Sequence, residues 1–361
     1  MSYDVAVIGL GAMGSAAAWQ LAKRGAKVVG LEQFTPAHDR GSSHGLSRVI
    51  RQAYFEHPSY VPLVLRAYAL WGELEQETRR EVFKRRTGAL MIGTPESPIV
   101  RGALESAKLH GLPHDLLTAA ALRARFPFMI FRDEDVAVEE LEAGVLFAED
   151  AVLAMQEAAR AHGAELRFGA KAAIGEVPAA KTVVTAGPWM RELVPSLPLQ
   201  VERQVLYWFD AGEFQTRVPL FIWDFEGRPF YSIPHVRDHG VKVAFHHGGE
   251  MTSPEALRRE VSESEIQDMR RRLARTVPPM DRPPRKSAVC MYTNMPDEHF
   301  ALGALPGRPD VIVGSPCSGH GFKFSAVIGE ILAELALDGR TRHPIDLFRL
   351  DRTLRPPAGV S

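Results

Sequence analysis

The opening of the chain restricts its fold more than any other stretch. Asp4-Val-Ala-Val-Ile8 is short, apolar and rich in β-branched residues, the pattern of a strand buried on both faces. Gly9-Leu-Gly-Ala-Met-Gly14 follows without a spacer. A helical pattern then runs through Ala16, Ala17, Leu21 and Ala22 and stops at Gly25, a residue suited to a helix C-cap. A second strand, Lys27 to Leu31, ends at Glu32. Strand, glycine-rich turn, helix, strand and terminal acid make up the dinucleotide-binding unit of a doubly wound α/β fold. Gly9 makes the tight turn, Gly11 lets backbone approach a pyrophosphate, and Gly14 lets the helix pack close to the strand. The helix N-terminus then faces the phosphates. Glu32 is placed to accept hydrogen bonds from a ribose 2′-OH, and its charge disfavours a 2′-phosphate. These residues alone leave NAD and FAD both open.

Gly41-Ser-Ser-His-Gly-Leu-Ser-Arg-Val-Ile-Arg-Gln-Ala-Tyr54 lies directly downstream. On a helix, His44, Arg48, Arg51 and Tyr54 share one face. Four polar groups on one face, two of them permanently cationic, suit an anion; a solvated basic face is the plainer alternative. Amphipathic helices are expected over 60–76, 98–110, 151–162 and 262–277, with a short one near 117–126. Phe83 to Ile92 is strand-like, and Val183-Val-Thr-Ala-Gly-Pro-Trp189 is a strand running into a small-residue turn. In that turn Ala186, Gly187 and Trp189 offer a second close approach to a cofactor. From Val201 to Phe245 the pattern is mostly β, with aromatic residues interspersed. Val311-Ile-Val313 leads through Ser318-Gly-His-Gly-Phe-Lys-Phe324 into a helix, Ala326 to Leu337. An α/β unit at each end implies a cofactor domain interrupted by a mixed β-sheet region of α+β character.

The formal net charge of -1 and a pI near 6.9 give no reason to expect a nucleic-acid or membrane partner. With a strand starting at Asp4 no signal peptide is expected, and no run of eighteen apolar residues is present. Two cysteines, Cys290 and Cys317, exclude a disulfide framework and suit a cytoplasmic protein. His235, His239, His246 and His247 match no compact metal motif, so no metal is expected.

Several separate blocks, in order, carry a resemblance that spans nearly the whole chain. They are the opening glycine turn, the Gly41–Tyr54 stretch, Lys242 with His246, Cys290-Met-Tyr-Thr293 with Pro296-Asp-Glu-His-Phe300, and Ser318–Phe324. On these blocks the chain resembles the monomeric sarcosine oxidase and N-methyltryptophan oxidase family of flavin amine oxidases. The resemblance implies FAD, whose ADP half the first fingerprint would hold. It implies a Rossmann-like FAD-binding domain over 1–80, 146–205 and 300–361, and a mixed β-sheet substrate domain over 81–145 and 206–299. Gly41, Ser42, Ser43, Gly321 and Phe322 fall in blocks that contact the cofactor.

Residue roles follow from the same resemblance. Cys290 matches the cysteine that carries the flavin as an 8α-thioether, and Tyr292 lies beside the substrate. Arg51 and Lys323 match the pair that binds the substrate carboxylate, with Gly319 nearby. His44 and Arg48 match residues packed against the flavin ring. Lys242 matches the lysine that promotes reaction with oxygen, while His246 and Tyr231 line the substrate cavity. Cys317 departs from the family, where an apolar residue is usual, and is the rival thiol for attachment.

The implied activity is oxidation of sarcosine or a similar N-alkyl amino acid by O2, giving glycine, formaldehyde and hydrogen peroxide, in a monomer. N-methyltryptophan or a cyclic imino acid such as pipecolate stands as an alternative substrate. A flavin subunit that passes electrons to a partner, and an NAD-dependent dehydrogenase, are the readings from other classes.

Overall fold

The computed structural model describes residues 2–353. Residues 354–361, the end of the segment expected to close the FAD-binding domain, lie outside the described residues.

The opening unit forms as its pattern predicts: strand Tyr3–Ile8, helix Ala12–Lys23 and strand Val28–Glu32, with Gly25 in the left-handed region at φ 83°. These strands belong to a six-stranded sheet. Its order is Ala301–Leu305, Arg308–Ser315, Ala179–Val184, Tyr3–Ile8, Val28–Glu32 and Glu165–Phe168. All neighbours are parallel except Ala301–Leu305, which returns antiparallel at one edge. The sheet is therefore assembled from both ends and the middle of the chain. Its central strands read Val5, Val7, Val28, Val29, Val183 and Val313, all buried, as a parallel sheet covered on both faces requires. Helix Ala12–Lys23 packs between helices Ser325–Asp338 and Ala148–Ala161. Its contact with the C-terminal helix depends on Gly329, where a Cβ would come within 2.4 Å of the Ala16 carbonyl carbon.

The second sheet is mixed. The long strand Gln200–Phe209 pairs antiparallel with Lys286–Asn294 on one side and with Val241–Phe245 and Met251–Thr252 on the other. The sheet continues through Arg228–Ile233, Phe221–Phe225, Ala89–Gly93, Val136–Glu140 and Asp115–Thr118. Phe221–Phe225 and Ala89–Gly93 run parallel, so the sheet is not a simple meander. One face carries Trp223, Phe221, Phe230, Tyr207 and Phe209 into a separate aromatic core. Helix Glu263–Thr276 covers it, started by a capping box between Ser262 and Glu265.

A small third sheet, Ser47–Ile50 with Gly144–Phe147 and Phe83–Lys84, corrects the helical expectation for the Arg48–Arg51 stretch. Residues 41–46 are a loop, Ser47–Ile50 is a strand, and Arg51 begins another loop. The spacing of the cations mimics a helix. The β-branched pair Val49 and Ile50 and the distant partner Gly144–Phe147 favour extended backbone instead. The strand-like 83–92 stretch likewise divides, Phe83–Lys84 joining this sheet and Ala89–Gly93 the mixed one.

Candidate active site

One cleft runs from the glycine turn of the first strand to the end of the mixed sheet. Of the residues singled out from the sequence, Gly9, Gly11, Glu32, Gly41, Ser42, Ser43, Arg48, Arg51, Ala186, Gly187, Trp189, Tyr231, His246, Cys290, Tyr292, Gly319, Gly321, Phe322 and Lys323 line it. Gly14, His44 and Lys242 are not among its lining residues.

At one end the chemistry suits a dinucleotide. Gly9 has φ 88°, and a Cβ on Gly14 would stand 1.7 Å from the Gly9 carbonyl oxygen. Only glycine permits this close seating of the helix on the turn. The Ala12–Lys23 helix has no acidic residue in its first turn, so its positive end is not neutralised there. Glu32 accepts from the Leu10 amide at 2.8 Å and from the Phe34 amide at 3.1 Å. Burial opposes its ionisation, but hydrogen bonding and charge from His38, with those two amides, hold its carboxyl below the usual range. A carboxylate so held can accept hydrogen bonds from a ribose hydroxyl. Ser42 Oγ and Thr293 Oγ1 are buried without a protein partner, and both residues line the cleft. The donor set thus fits FAD along the cleft.

The middle of the cleft holds a thiol among cations. Strand Lys286–Asn294 presents Cys290, whose Sγ lies 3.9 Å from Arg48 Nη2 and 3.8 Å from the Ser42 carbonyl oxygen. Burial raises its pKa, but His44, Arg48 and Lys242 outweigh that and bring it down to about 7. Cys317, also in the cleft, is pushed up to about 12 by burial and by the neighbouring Cys290. The two thiols therefore differ in kind: Cys290 reaches the nucleophilic thiolate near neutral pH, and Cys317 stays protonated. Arg48 is fixed by carbonyl oxygens of Ser42 and Ser47, each at 2.9 Å, and its guanidinium lies 5.6 Å from the Phe322 ring centre. Lys242 sits in strand Val241–Phe245 and is 1% exposed, unlike a solvent-facing strand lysine. Its Nζ donates to the carbonyls of Gly45 and Ser47, each at 2.8 Å. Burial, then the charge of Arg48, depresses its pKa well below the usual lysine range. His44 is buried with its Nε2 unpartnered.

The far end is cationic and enclosed by aromatic groups. Arg51 is 1% exposed and donates from Nη2 to both carboxylate oxygens of Glu56, at 2.7 and 2.5 Å. Its guanidinium packs 4.1 Å from the Tyr54 ring centre and 4.2 Å from that of Phe55. Burial opposes the charge on Glu56, but Arg51, His320 and Lys323 hold its pKa near 2. Lys323 is on the short turn Phe322–Phe324, just before helix Ser325–Asp338. Burial, then Arg51, brings its pKa down to about 7. His246 Nδ1 stands 3.3 Å from the Tyr292 hydroxyl. Gly319 gives this pair room: a Cβ there would lie 2.7 Å from Tyr292 Cε2.

Sequence reasoning missed Glu56, although it lies five residues beyond Arg51. A carboxylate in a polar loop carries no signal that it is the buried partner of an arginine. It also missed two remote acids that shape the loops. Glu149 accepts from the amides of Gly45 and Leu46, and Glu140 accepts from those of Gln52 and Ala53 at 2.6 and 2.7 Å. Among the described residues, Glu330, Glu334 and His343 form a group close enough to share an ion, its ligand atoms within 4.8 Å of one another. Arg66, Arg24 and Arg342 already pair with those carboxylates, and none of the three lines the cleft.

Comparison with known proteins gives four results. Residues 4–335 match the family model described as FAD dependent oxidoreductase. The chain is 44% identical to a monomeric sarcosine oxidase of Streptomyces avermitilis, with 99% of each covered. It is 33% identical to an N-methyl-L-tryptophan oxidase of Citrobacter koseri, over 98% of the chain and 99% of that protein. The solved structure of NikD, an amino acid oxidase essential for nikkomycin biosynthesis, superimposes with a TM-score of 0.83 at 23% identity, covering 98% of this chain and 97% of that one.

Proposed function

Because the chain belongs to the monomeric sarcosine oxidase and N-methyl-L-tryptophan oxidase family of FAD-dependent oxidoreductases, we propose that it oxidises sarcosine or a similar N-alkyl amino acid with O2. The products from sarcosine are glycine, formaldehyde and hydrogen peroxide. The observation that carries this reading is the pairing of Arg51 with a carboxylate, that of Glu56, at the end of a dinucleotide cleft. A site that already holds one carboxylate against Arg51, with Lys323 beside it, has the chemistry to hold a substrate's.

FAD, when bound, supplies the two-electron oxidation of the carbon next to nitrogen and the delivery of those electrons to O2. Gly9, Gly11, Gly14 and Glu32 would hold its ADP half, with Gly41, Ser42, Ser43, Ala186, Gly187 and Trp189 along the cleft. Cys290 is the residue for covalent attachment, supported by its lowered pKa and by the inertness of Cys317. Arg51 and Lys323 bind the substrate carboxylate. Tyr231, Tyr292 and His246 close the cavity around the amine and exclude water. Burial holds the His246 imidazole well below its usual range, so it stays neutral and leaves a secondary amine free of a competing cation. Arg48 keeps positive charge near the reacting ring, His44 packs against that ring, and Lys242 serves the oxygen step from behind Gly45.

We read the six-stranded sheet as the core of the FAD-binding domain and the mixed sheet as that of the substrate domain. The protein acts as a monomer in the cytoplasm on this reading, the latter supported by its two free thiols. Among the described residues no helix is long and apolar enough to cross a membrane. Adding sarcosine without oxygen should bleach the visible flavin absorbance within the mixing time of a turnover experiment. Bleaching by N-methyltryptophan or pipecolate but not by sarcosine would move the assignment to those substrates.

A further inference from the structure

Lys323 is a flexible side chain asked to present one proton to a bound anion, and the wall behind it is built to limit that flexibility. We propose that Tyr54 and His320 are positioning residues that aim the Lys323 ammonium into the cleft through a one-way hydrogen-bond chain. The inference rests on the reading of Lys323 as a carboxylate ligand and adds how it is held.

The direction of the chain follows from its far end. His320 Nε2 lies 3.0 Å from the Glu298 carbonyl oxygen, which can only accept. Nε2 therefore carries the hydrogen, and Nδ1 of the neutral ring is an acceptor. Nδ1 is 2.7 Å from the Tyr54 hydroxyl, so the phenol donates to it. The other acceptor within reach of that hydroxyl, the His320 carbonyl oxygen, is farther, at 3.3 Å. With its proton so directed, the Tyr54 oxygen turns a lone pair to Lys323 Nζ at 3.3 Å. A second N–H of Lys323 goes to the His320 carbonyl oxygen at 2.7 Å. Two of the three ammonium protons are thus held by one wall, and the third is left for the cleft that Lys323 lines.

The chain has little freedom to reorganise. Tyr54 is 0% exposed, and the His320 ring stacks on Phe300 with centroids 5.1 Å apart at 24°. Phe324 meets Tyr54 edge-on at 5.1 Å. Trp71 Nε1 donates to the Lys323 carbonyl at 3.0 Å, fixing the backbone from the other side. Burial holds the His320 pKa down to about 4 and the Tyr54 pKa well above its usual value, so neither changes protonation near neutrality. Lys323 does titrate there. The charged groups acting on it are Arg51 and Arg48, which favour loss of its proton, and Glu56, which opposes them.

The test is calorimetric titration of the FAD-loaded enzyme with acetate, a bare carboxylate, on both sides of neutral pH. In the wild-type enzyme, affinity should fall as pH rises through the Lys323 pKa, because the ammonium is lost. Tyr54→Phe should weaken acetate about tenfold, the size of one hydrogen bond to a charged group. It should also move the pH midpoint down, since the ammonium has lost an acceptor. His320→Gln should give the same two changes, and the double variant should be no worse than either. If Tyr54→Phe does not fold with its flavin, His320→Gln carries the test. Lys323→Met separates the two levels of inference. Unchanged acetate affinity in Lys323→Met overturns the carboxylate role itself. Weakened affinity there, with wild-type affinity and midpoint in Tyr54→Phe and His320→Gln, overturns the positioning chain alone.

Discussion

On the proposed reading Glu56 competes with the substrate carboxylate for Arg51, and Glu56→Gln isolates that competition. Gln keeps the shape of the side chain and removes its charge. Arg51 is 1% exposed and the Glu56 side chain 15%, so the pair is well shielded from water. Two unit charges about 4 Å apart attract by about 4 kcal/mol at an effective dielectric of about 20. An entering carboxylate must draw the guanidinium away from that partner. If Glu56 recovers about half of this energy from water on release, the competition costs about 2 kcal/mol, or about thirtyfold in affinity. The variant should therefore bind sarcosine about thirtyfold more tightly in anaerobic titration of the FAD-loaded enzyme. It should also lose stability, by about 3–5 kcal/mol for a broken buried pair. The pH dependence has a definite sign. The Glu56 pKa is lowered from 4.5 to about 2 in the folded protein. Its stabilising contribution, about 3 kcal/mol, is present above the unfolded value and lost as pH falls through the folded one. Wild-type protein should thus lose more stability than Glu56→Gln across that acid window in parallel melts. Equal or weaker sarcosine binding by the variant would refute the competition.

Four further outcomes follow from the cleft. Cys290→Ser should release flavin into the supernatant when the protein is denatured, whereas wild-type precipitate should stay yellow; a flavin peptide containing residue 317 instead would transfer the attachment to Cys317. Lys242→Met should slow reoxidation by oxygen far more than anaerobic reduction by substrate, by up to roughly a thousandfold if about 4 kcal/mol of charge stabilisation is lost. In wild-type enzyme that oxygen step should itself slow as pH rises through the depressed Lys242 pKa, and stopped-flow traces at several pH values check both points. Gly14→Ala puts a methyl group 1.7 Å from the Gly9 carbonyl oxygen, so the turn must move and the variant should purify with little flavin, measured by its visible absorbance against protein.

The parts of the fold legible in the sequence are those set by local pattern. Asp4-Val-Ala-Val-Ile8 lies within strand Tyr3–Ile8, and the Pro98–His110 helix has the expected bounds because Ser97 caps it and Gly111 ends it in the left-handed region. Where the outcome depended on distant partners, pattern misled. Arg48 and Arg51 sit at helical spacing, yet Gly144–Phe147 draws Ser47–Ile50 into a strand. Both arginines still reach the cleft, Arg48 from the strand and Arg51 from the loop after it. The same limit applies to the charges. Glu140 and Glu149 organise the loops around Arg51 and Gly45 from 88 and 104 residues away, a relation that no local spacing encodes. Tyr54 and His320 are separated by 266 residues and meet only because the first and last α/β units share one sheet and one helical layer. The burial of Lys242 is invisible in Val241–Phe245, since a lysine in a strand normally faces water.

The most direct measurement of the assigned chemistry is the stoichiometry of one reaction followed three ways. Purified enzyme is given limiting sarcosine in an oxygen-electrode cell, and oxygen consumed, peroxide formed and formaldehyde formed are measured together. Equal amounts of all three, matching the sarcosine added, are predicted, with no turnover of dimethylamine, which lacks the carboxylate proposed to bind Arg51 and Lys323. Formaldehyde formed without oxygen uptake, and only with an added electron acceptor, would contradict an oxidase and assign the chain to electron transfer instead.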